Sequence, residues 1–157
     1  IKDCVLRYAR GVDRHDIDVI LSAFHADAID EHGAVRNDMK TFAQWANQLH
    51  DSDFGIHSHN ITNHICRIDG DRAQAESYVL YGLTRKSEDQ IWLGSGRYLD
   101  RLEKRDGVWR ISYRKTIIDW MFAADASPMS TEYFRSQKYP AGTHDRDDLS
   151  YELELLP

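Results

Sequence analysis

Three short segments of the chain carry side chains that together can remove a proton from carbon. The first segment holds Tyr8 and Asp13, the second holds His59 and the third holds Arg114. They supply a phenol, a carboxylate, an imidazole and a guanidinium, the groups needed to take a proton and to stabilise the charge left behind. The sequence therefore predicts an enzyme that uses acid–base chemistry with no cofactor.

His59 is the group best suited to act as the base. Alternation along a strand over residues 54–68 predicts one face with the following side chains: His57, His59, Ile61, Asn63 and Ile65. An imidazole on that partly apolar face, with an ordinary pKa of about 6.5, suits a general base at neutral pH. The alternative is a core histidine that is bonded to a backbone carbonyl.

The other polar candidates each have a structural alternative. Tyr8 lies about 140° around a helix from Asp13; it either donates a hydrogen bond to substrate or serves as a core aromatic. Arg114 either binds a developing anion in a pocket or forms a surface ion pair. Asn63 is a candidate for orienting substrate or His59.

Helical spacing dominates the first third of the chain. The apolar residues Ile1, Val5, Tyr8 and Val12 recur on one helix face, and Gly11 weakens the end of that helix. A second helix is predicted over residues 17–24 with Asp16 as its N-cap, and a third over residues 42–49 with Asp38 as a possible cap. Residues 27–37 between them predict a short strand and turn.

Long strands follow the helices. Four are predicted, over residues 54–68, 72–86, 90–105 and 108–122. Two Asp-Gly turns, at residues 69–70 and 106–107, separate two pairs of them. Residues 94–96, Gly-Ser-Gly, are interpreted as a bulge or a close approach within a strand rather than as part of a nucleophile motif.

This order of elements predicts an α+β fold. We expect a cone-shaped, curved, mixed or antiparallel sheet with the N-terminal helices packed over its concave face, enclosing an apolar pocket. Residues 1–157 are predicted to form a single domain, with a core over residues 1–122 and a tail over residues 123–157.

Composition excludes several classes of function. The 157 residues carry a net charge of −6, which argues against a nucleic-acid binder. Two cysteines cannot form a disulfide framework, no apolar run is long enough to span a membrane, and a reduced cytoplasmic setting is expected. A metal site at His57 and His59, completed by His32 or His64, is not expected, because no Glu and no Cys/His quartet supports it.

The sequence resembles the SnoaL-like branch of the nuclear transport factor 2-like superfamily over residues 1–122. The resemblance rests on Tyr8 with residues 11–14, residues 24–28, His59 with Asn63, residues 69–73 leading to Tyr78, and residues 105–111. It implies that Asp13 and His59 are the catalytic pair found in the family's dehydratases and dehydrochlorinase. It also implies that Tyr8 assists and that Arg114 is a pocket arginine.

The resemblance implies a cofactor-independent lyase, of the dehydratase type, on a small hydrophobic substrate that is aromatic or polycyclic. Substrate contacts are expected from Asn63, Ile61, Trp45 and Tyr78. An isomerase or a polyketide-type cyclase of the same fold remains an alternative. So does a non-catalytic binding module resembling the β subunit of ring-hydroxylating dioxygenases. A homo-oligomer is expected, a trimer ahead of a dimer, with no nucleic-acid or membrane partner.

Overall fold

The computed structural model describes residues 1–152 of the chain. Its helices are α1 (Lys2–Asp13), α2 (Ile17–Ser22), α3 (Met39–Asp53) and α4 (Glu132–Ser136), with short 3-10 helices at Ser127–Ser130 and Leu149–Tyr151. Its strands are β1 (Phe24–His32), β2 (Val35–Asp38), β3 (Phe54–Asp69), β4 (Arg72–Arg85), β5 (Gln90–Arg105) and β6 (Val108–Asp125). None of these helices is both long and apolar enough to cross a lipid bilayer.

The strands form one mixed sheet in the order β2-β1-β6-β5-β4-β3. Only the β1–β6 pair is parallel, and the other four pairs are antiparallel. Helices α1, α2 and α3 pack against each other and against the sheet, and their apolar side chains form a core with those of β1, β4, β5 and β6. The α+β fold class predicted from the sequence is confirmed.

Helix α1 buries its apolar stripe and continues through Gly11. Gly11, which is expected to weaken the end of the helix, does not interrupt it, because the helix runs on to Asp13. A Cβ at Gly11 would lie 2.7 Å from the backbone nitrogen and Cγ1 of Ile20, so the glycine lets α2 approach α1 closely. This packing fixes where the last turn of α1, and with it Asp13, meets the sheet.

Both predicted N-caps are confirmed. The Asp16 side chain accepts a hydrogen bond from the Val19 nitrogen, and the Asp38 side chain accepts bonds from the Lys40 and Thr41 nitrogens. Helix α2 ends at Ser22, earlier than predicted. The sheet begins directly after α2, because Phe24 pairs with Ile111 of β6. Strand β1 therefore starts three residues before its predicted position.

The long strands contain irregularities that the sequence pattern does not show. In β3 the pairing passes from Ile61–Val79 to His64–Ser77, so β3 carries one extra residue there. The extra residue reverses the faces beyond Ile61. The predicted alternation is therefore wrong for Asn63 and Ile65, both of which are exposed, while the half-buried His64 bonds the Ser77 hydroxyl at 2.8 Å.

The glycines at 94 and 96 permit close approach, as predicted. A Cβ at Gly96 would lie 2.2 Å from the Ile117 carbonyl oxygen, and one at Gly94 would overlap the Tyr81 ring. The register between β5 and β6 also shifts at this point. Gly94 thus makes room for a tyrosine on the concave face.

The tail turns back onto the first helices. Tyr151 donates its hydroxyl hydrogen to Asp16 at 2.9 Å, and the Arg14 guanidinium lies 3.3 Å from the Asp148 carboxylate. These contacts place residues 143–151 beside the turn between α1 and α2, close to the site described next.

Candidate active site

Asp13 and His59 meet where the last turn of α1 crosses β3. Asp13 Oδ1 lies 2.7 Å from His59 Nδ1, and Asp13 Oδ2 accepts the backbone N–H of His59 at 2.9 Å. A carboxylate at a helix C-terminus faces the negative end of the helix dipole and therefore needs donors. One residue of β3 supplies both donors, which fixes the position of the carboxylate and of the ring together.

The contact with Asp13 determines the tautomer of His59. Because a carboxylate only accepts hydrogen bonds, the proton of a neutral imidazole must lie on Nδ1, which leaves the lone pair on Nε2. No hydrogen-bond partner for Nε2 is found within residues 1–152. The His59 side chain is 13% exposed and that of Asp13 is 14% exposed, so the pair is sheltered but reachable.

His59 lines a cavity of about 230 Å³ between the helices and the sheet. The helical side of its wall comes from α1 and α3 and the other side from β1 and β3–β6. Its lining residues are Tyr8, Val12, His32, Phe42, Trp45, Ala46, Leu49, His50, Phe54, His59, Val79, Tyr81, Leu83, Trp92, Tyr98, Thr116, Ile118 and Met121. The wall is mostly apolar and aromatic, with imidazoles and hydroxyls as its polar groups.

Two further predicted site residues share this cavity. Tyr8 lines it from α1, packing edge-on against Tyr98 with 5.4 Å between ring centroids, and Trp45 lines it from α3. Burial strongly raises the pKa of the Tyr8 phenol. Tyr8 is therefore a neutral hydrogen-bond donor at any physiological pH.

Arg114 lies behind the cavity wall rather than on it. Its guanidinium is fully buried and bonds Asp100 with two contacts of 2.7 and 2.8 Å. It also lies 4.2 Å from the ring centroids of both Tyr8 and Tyr98. Burial acts to lower the pKa of Arg114, but the Asp100 carboxylate outweighs it and keeps the guanidinium charged. Arg114 thus reaches the cavity only through the tyrosines it supports.

A bulge explains why sequence alternation did not reveal the burial of Arg114. Between the pairs Arg101–Tyr113 and Leu102–Ile111 the register shifts by one residue at Ser112. Both Ile111 and Arg114 consequently face inward and are fully buried, although they differ in parity.

The remaining predicted contacts fall elsewhere. Ile61 lies beside Asp13 and His59 on the outer side of the pair, in a shallow groove of α1 and β3. Asn63 is exposed beyond the β3 bulge. Tyr78 points away from the cavity on the outer face of β4, about one-third exposed and under the Arg97 guanidinium at 6.0 Å. The structure therefore brings neither Asn63 nor Tyr78 to the cavity.

Tyr81 occupies the position in the cavity that was expected of Tyr78. Its ring centroid lies 6.1 Å from that of His59. The sequence contained the signal: Arg72, Gln74 and Glu76 are polar and alternate with alanines, which assigns the odd-numbered residues of β4 to the buried face.

His32 and His50 also line the cavity and were missed as site residues. Burial is the main reason that the pKa of His32 falls to about 4 and that of His50 to about 2. Both are therefore neutral at pH 7. Neither stands in a recognisable motif, because β1 and α3 bring them to the cavity from separate parts of the chain.

Asp30 is a buried carboxyl close to the arginine. It is 0% exposed, and neither of its oxygens has a hydrogen-bond partner within residues 1–152. Burial raises its pKa to about 7; Arg114 acts in the opposite direction, and Asp100 adds to the rise. Its Oδ1 lies 3.9 Å from Nδ1 of His32, which links it to the cavity wall.

Comparison with known proteins identifies the fold. A family model described as a SnoaL-like domain matches residues 1–115. No curated protein matches the sequence significantly.

Solved structures with this fold include three from Novosphingobium. A hexachlorocyclohexane dehydrochlorinase from Novosphingobium barchaimii is 21% identical, with a TM-score of 0.72 over 78% of this chain and 86% of that chain. A protein from Novosphingobium aromaticivorans named as a scytalone dehydratase is 17% identical, with a TM-score of 0.68 over 79% and 83%. Another from the same organism, named as an aromatic ring hydroxylase, is 20% identical, with a TM-score of 0.68 over 83% and 93%. At these identities the likeness establishes the fold alone.

Proposed function

The chain belongs to the SnoaL-like domain family, and we propose that it is a cofactor-independent lyase that eliminates a small group, such as water, from a hydrophobic substrate. The observation that carries this proposal is the contact between Asp13 and His59 at the cavity wall. It leaves a lone pair on Nε2 of His59, which is what a base acting on a carbon acid requires.

The roles of the four polar residues follow from their positions. His59 removes a proton from a carbon that a carbonyl or a conjugated ring has made acidic. Asp13 keeps the ring in the required tautomer and stabilises the imidazolium that forms. Tyr8 donates a hydrogen bond to the substrate oxygen or to the leaving group. Arg114 positions Tyr8 and Tyr98, because it contacts both rings and not the cavity.

Cavity size narrows the substrate class. A volume of about 230 Å³ is below the roughly 300–1,000 Å³ typical of drug-sized ligands. Aromatic walls from Trp45, Phe54, Tyr81 and Trp92 favour a flat ring system. We therefore expect a substrate of one or two rings rather than a larger polycyclic compound.

Two of the similar structures carry names of elimination reactions, a scytalone dehydratase and a hexachlorocyclohexane dehydrochlorinase. This supports elimination over the other uses of the fold. An isomerase or cyclase would use the same base, with the abstracted proton returned to the product or a ring closed. A binding module would not need the Asp13–His59 pair.

Self-association is also proposed, with a trimer ahead of a dimer. Two residues that line the cavity, Ile118 and Met121, are about half exposed, as are the neighbouring Trp120 and Phe122, whose rings stack 5.8 Å apart. A second copy over this surface would cover apolar area and close the cavity. Light scattering after size exclusion measures the oligomeric state, and a monomer at micromolar concentration would overturn this part.

Proton abstraction is tested most directly in D2O. One- and two-ring β-hydroxy ketones are incubated with the protein, and mass spectrometry follows both loss of water and uptake of deuterium at the acidic carbon. We expect loss of water with the wild type and a decrease of about 10²–10⁴-fold in rate with His59→Ala. The matched control is His64→Ala, a histidine of the same strand outside the cavity, which should retain the wild-type rate.

Each outcome of this experiment decides between the candidates. Deuterium uptake without loss of mass, dependent on His59, would replace the lyase with an isomerase or cyclase. If calorimetry shows that the ring compounds bind, but they neither lose water nor take up deuterium, the protein is a binding module rather than an enzyme. Equal rates for the wild type and His59→Ala would exclude His59 as the base.

A further inference from the structure

A second group of histidines lies next to the proposed active site but outside its cavity. His15 is in the turn after α1, His57 is on β3 and His144 is in the tail. One ligand atom from each of the three imidazoles lies within 4.8 Å of those of the other two. None of the three lines the cavity that contains His59, so the proposed reaction does not account for them.

Two of these imidazoles hold buried nitrogens with no partner. Nε2 of His15 and Nε2 of His144 are both inaccessible, and within the part of the chain described neither makes a hydrogen bond. The His15 side chain is only 8% exposed. Burying an unpaired polar atom costs free energy that a ligand can recover, so the pair of nitrogens indicates an occupant.

The surroundings of His15 and His57 prepare them as ligands. Asp51 Oδ1 lies 3.4 Å from Nδ1 of His15, the carboxylate–histidine arrangement that directs Nε2 toward a metal. His57 lies between two carbonyl oxygens, Val12 O at 3.1 Å from Nε2 and Gly55 O at 3.3 Å from Nδ1. A neutral ring donates to only one of them, so the other ring nitrogen directs its lone pair toward a carbonyl oxygen and has no donor within residues 1–152. Turning that nitrogen from the carbonyl oxygen to a metal ion would satisfy it.

We propose that His15, His57 and His144 form a binding site for a divalent transition metal of the zinc type, which fastens the C-terminal tail to β3 and to the α1–α2 turn. Imidazole is a preferred ligand of this metal class, and three histidines plus water complete a tetrahedral shell. Bonds of about 2.0–2.1 Å place the nitrogens of such a site about 3.4 Å apart. The rings must therefore close by at most about 1.4 Å from their present separation.

An entry path to this site is present at the surface. A groove between α2 and the tail reaches both His15 and His144, and it is bordered by the carboxylates Asp16, Asp18 and Asp145. Arg14 and Arg146 also border it, and Arg146 is paired with Asp16. The groove thus offers a cation a route that does not cross the proposed active-site cavity.

Metal binding is tested on the untagged protein after removal of metals with a chelator. Calorimetric titration with Zn²⁺ should give one ion per chain, and Co²⁺ should give the intense visible absorption of a tetrahedral site. His144→Gln, a change in the tail that leaves the core intact, should weaken Zn²⁺ binding at least 10-fold. The control His64→Gln should bind like the wild type. Zn²⁺ should also raise the Tm of the wild type by several degrees, and that of His144→Gln by much less.

Three results would overturn the proposal. These are the absence of Zn²⁺ binding at micromolar concentration, equal affinity of the wild type and His144→Gln, and equal weakening by the His64→Gln control. His15→Gln provides a second variant on another element, and it should weaken Zn²⁺ binding as His144→Gln does. These readouts do not depend on catalytic activity, so they stand or fall apart from the proposed lyase.

Discussion

The Asp13–His59 pair and the Arg114–Asp100 pair are built differently. The Asp13–His59 pair borders the cavity with both side chains slightly exposed, whereas the Arg114–Asp100 pair is 0% exposed and bonded at two points. Nε2 of His59 has no hydrogen-bond partner within residues 1–152. Arg114 directs two of its nitrogens to Asp100 and lies over the three rings of Tyr8, Phe24 and Tyr98. The difference separates a group that can exchange a proton from one that holds the wall of the cavity.

Asp30 shows what happens to a buried carboxyl that has no such partner. Asp100 accepts two charge-assisted hydrogen bonds, while neither oxygen of Asp30 accepts any within the described chain. Burial therefore raises the pKa of Asp30 to about 7. The two aspartates lie near the same arginine, yet within the described chain only Asp100 receives hydrogen bonds from it.

The largest effect on stability is expected from breaking the buried pair. Arg114→Met leaves the Asp100 carboxylate buried without a partner, which costs about 3–5 kcal/mol in free energy of unfolding. Urea unfolding at pH 7 measures it. Arg101→Met, an exposed arginine on the neighbouring strand β5, is the matched control with a change below about 0.5 kcal/mol. A loss of less than 1 kcal/mol for Arg114→Met would mean that the pair is not a structural support.

Asp13→Asn should have the opposite profile, a large effect on turnover and a small one on stability. The amide cannot stabilise the imidazolium of His59, so we expect kcat to fall by about 10²-fold or more. The free energy of unfolding should change by less than about 1 kcal/mol, since the pair is partly exposed. The rate of water loss from a β-hydroxy ketone that the wild type dehydrates measures the effect on turnover, and urea unfolding measures the effect on stability. A stability loss as large as that of Arg114→Met would erase the contrast between the pairs.

Asp30→Asn tests the raised pKa through the pH dependence of stability. The folded pKa of about 7 exceeds the unfolded value of 3.8, so the folded state binds the proton more tightly between these values. Stability of the wild type should therefore fall as pH rises from about 4 to 7 and stay low above. The free energy of unfolding of Asp30→Asn, taken relative to that of the wild type, should be about 2 kcal/mol higher at pH 8 than at pH 5. A difference between the two proteins that does not change with pH would contradict the raised pKa.

His32→Gln gives the smallest expected effect, with the opposite dependence on pH. The pKa of His32 falls to about 4 from 6.5 because of burial, so the unfolded state binds more protons between these values. The wild type should lose stability as pH falls from about 6.5 to 4. Because the side chain is about one-third exposed, solvent limits the contribution to about 1 kcal/mol. Melting curves at pH 7 and pH 4.5 measure this: the Tm of the wild type should fall more between the two pH values than the Tm of His32→Gln.

Much of the fold was predictable from local signals. Periodic apolar residues marked α1 and α3, Asp16 and Asp38 marked the starts of two helices, and the Asp-Gly pairs marked two hairpin turns. These signals operate within a few residues of each other. They are local because capping, turn geometry and helix periodicity depend on neighbouring residues.

The site was predictable only where a resemblance supplied the pairing. Asp13 and His59 are 46 residues apart in the chain, and no local pattern joins them. Asn63 and Tyr78 were placed on the wrong side because a one-residue bulge in β3 and the face of β4 decide which side chains turn inward. The alternating polarity of β4 would have corrected Tyr78, whereas the bulge left no signal of its own.

The sequence alone indicated where the first three helices and the long strands lie, to within a few residues, and which ionisable groups the chain can offer. The tertiary structure decided which of those groups meet: His59 with Asp13, Arg114 with Asp100, and His144 with His15 and His57. The physical reason is range. Backbone preferences act between adjacent residues. The burial that shifts a pKa comes from strands and helices that are distant in sequence, and so does the charged partner that counteracts the shift.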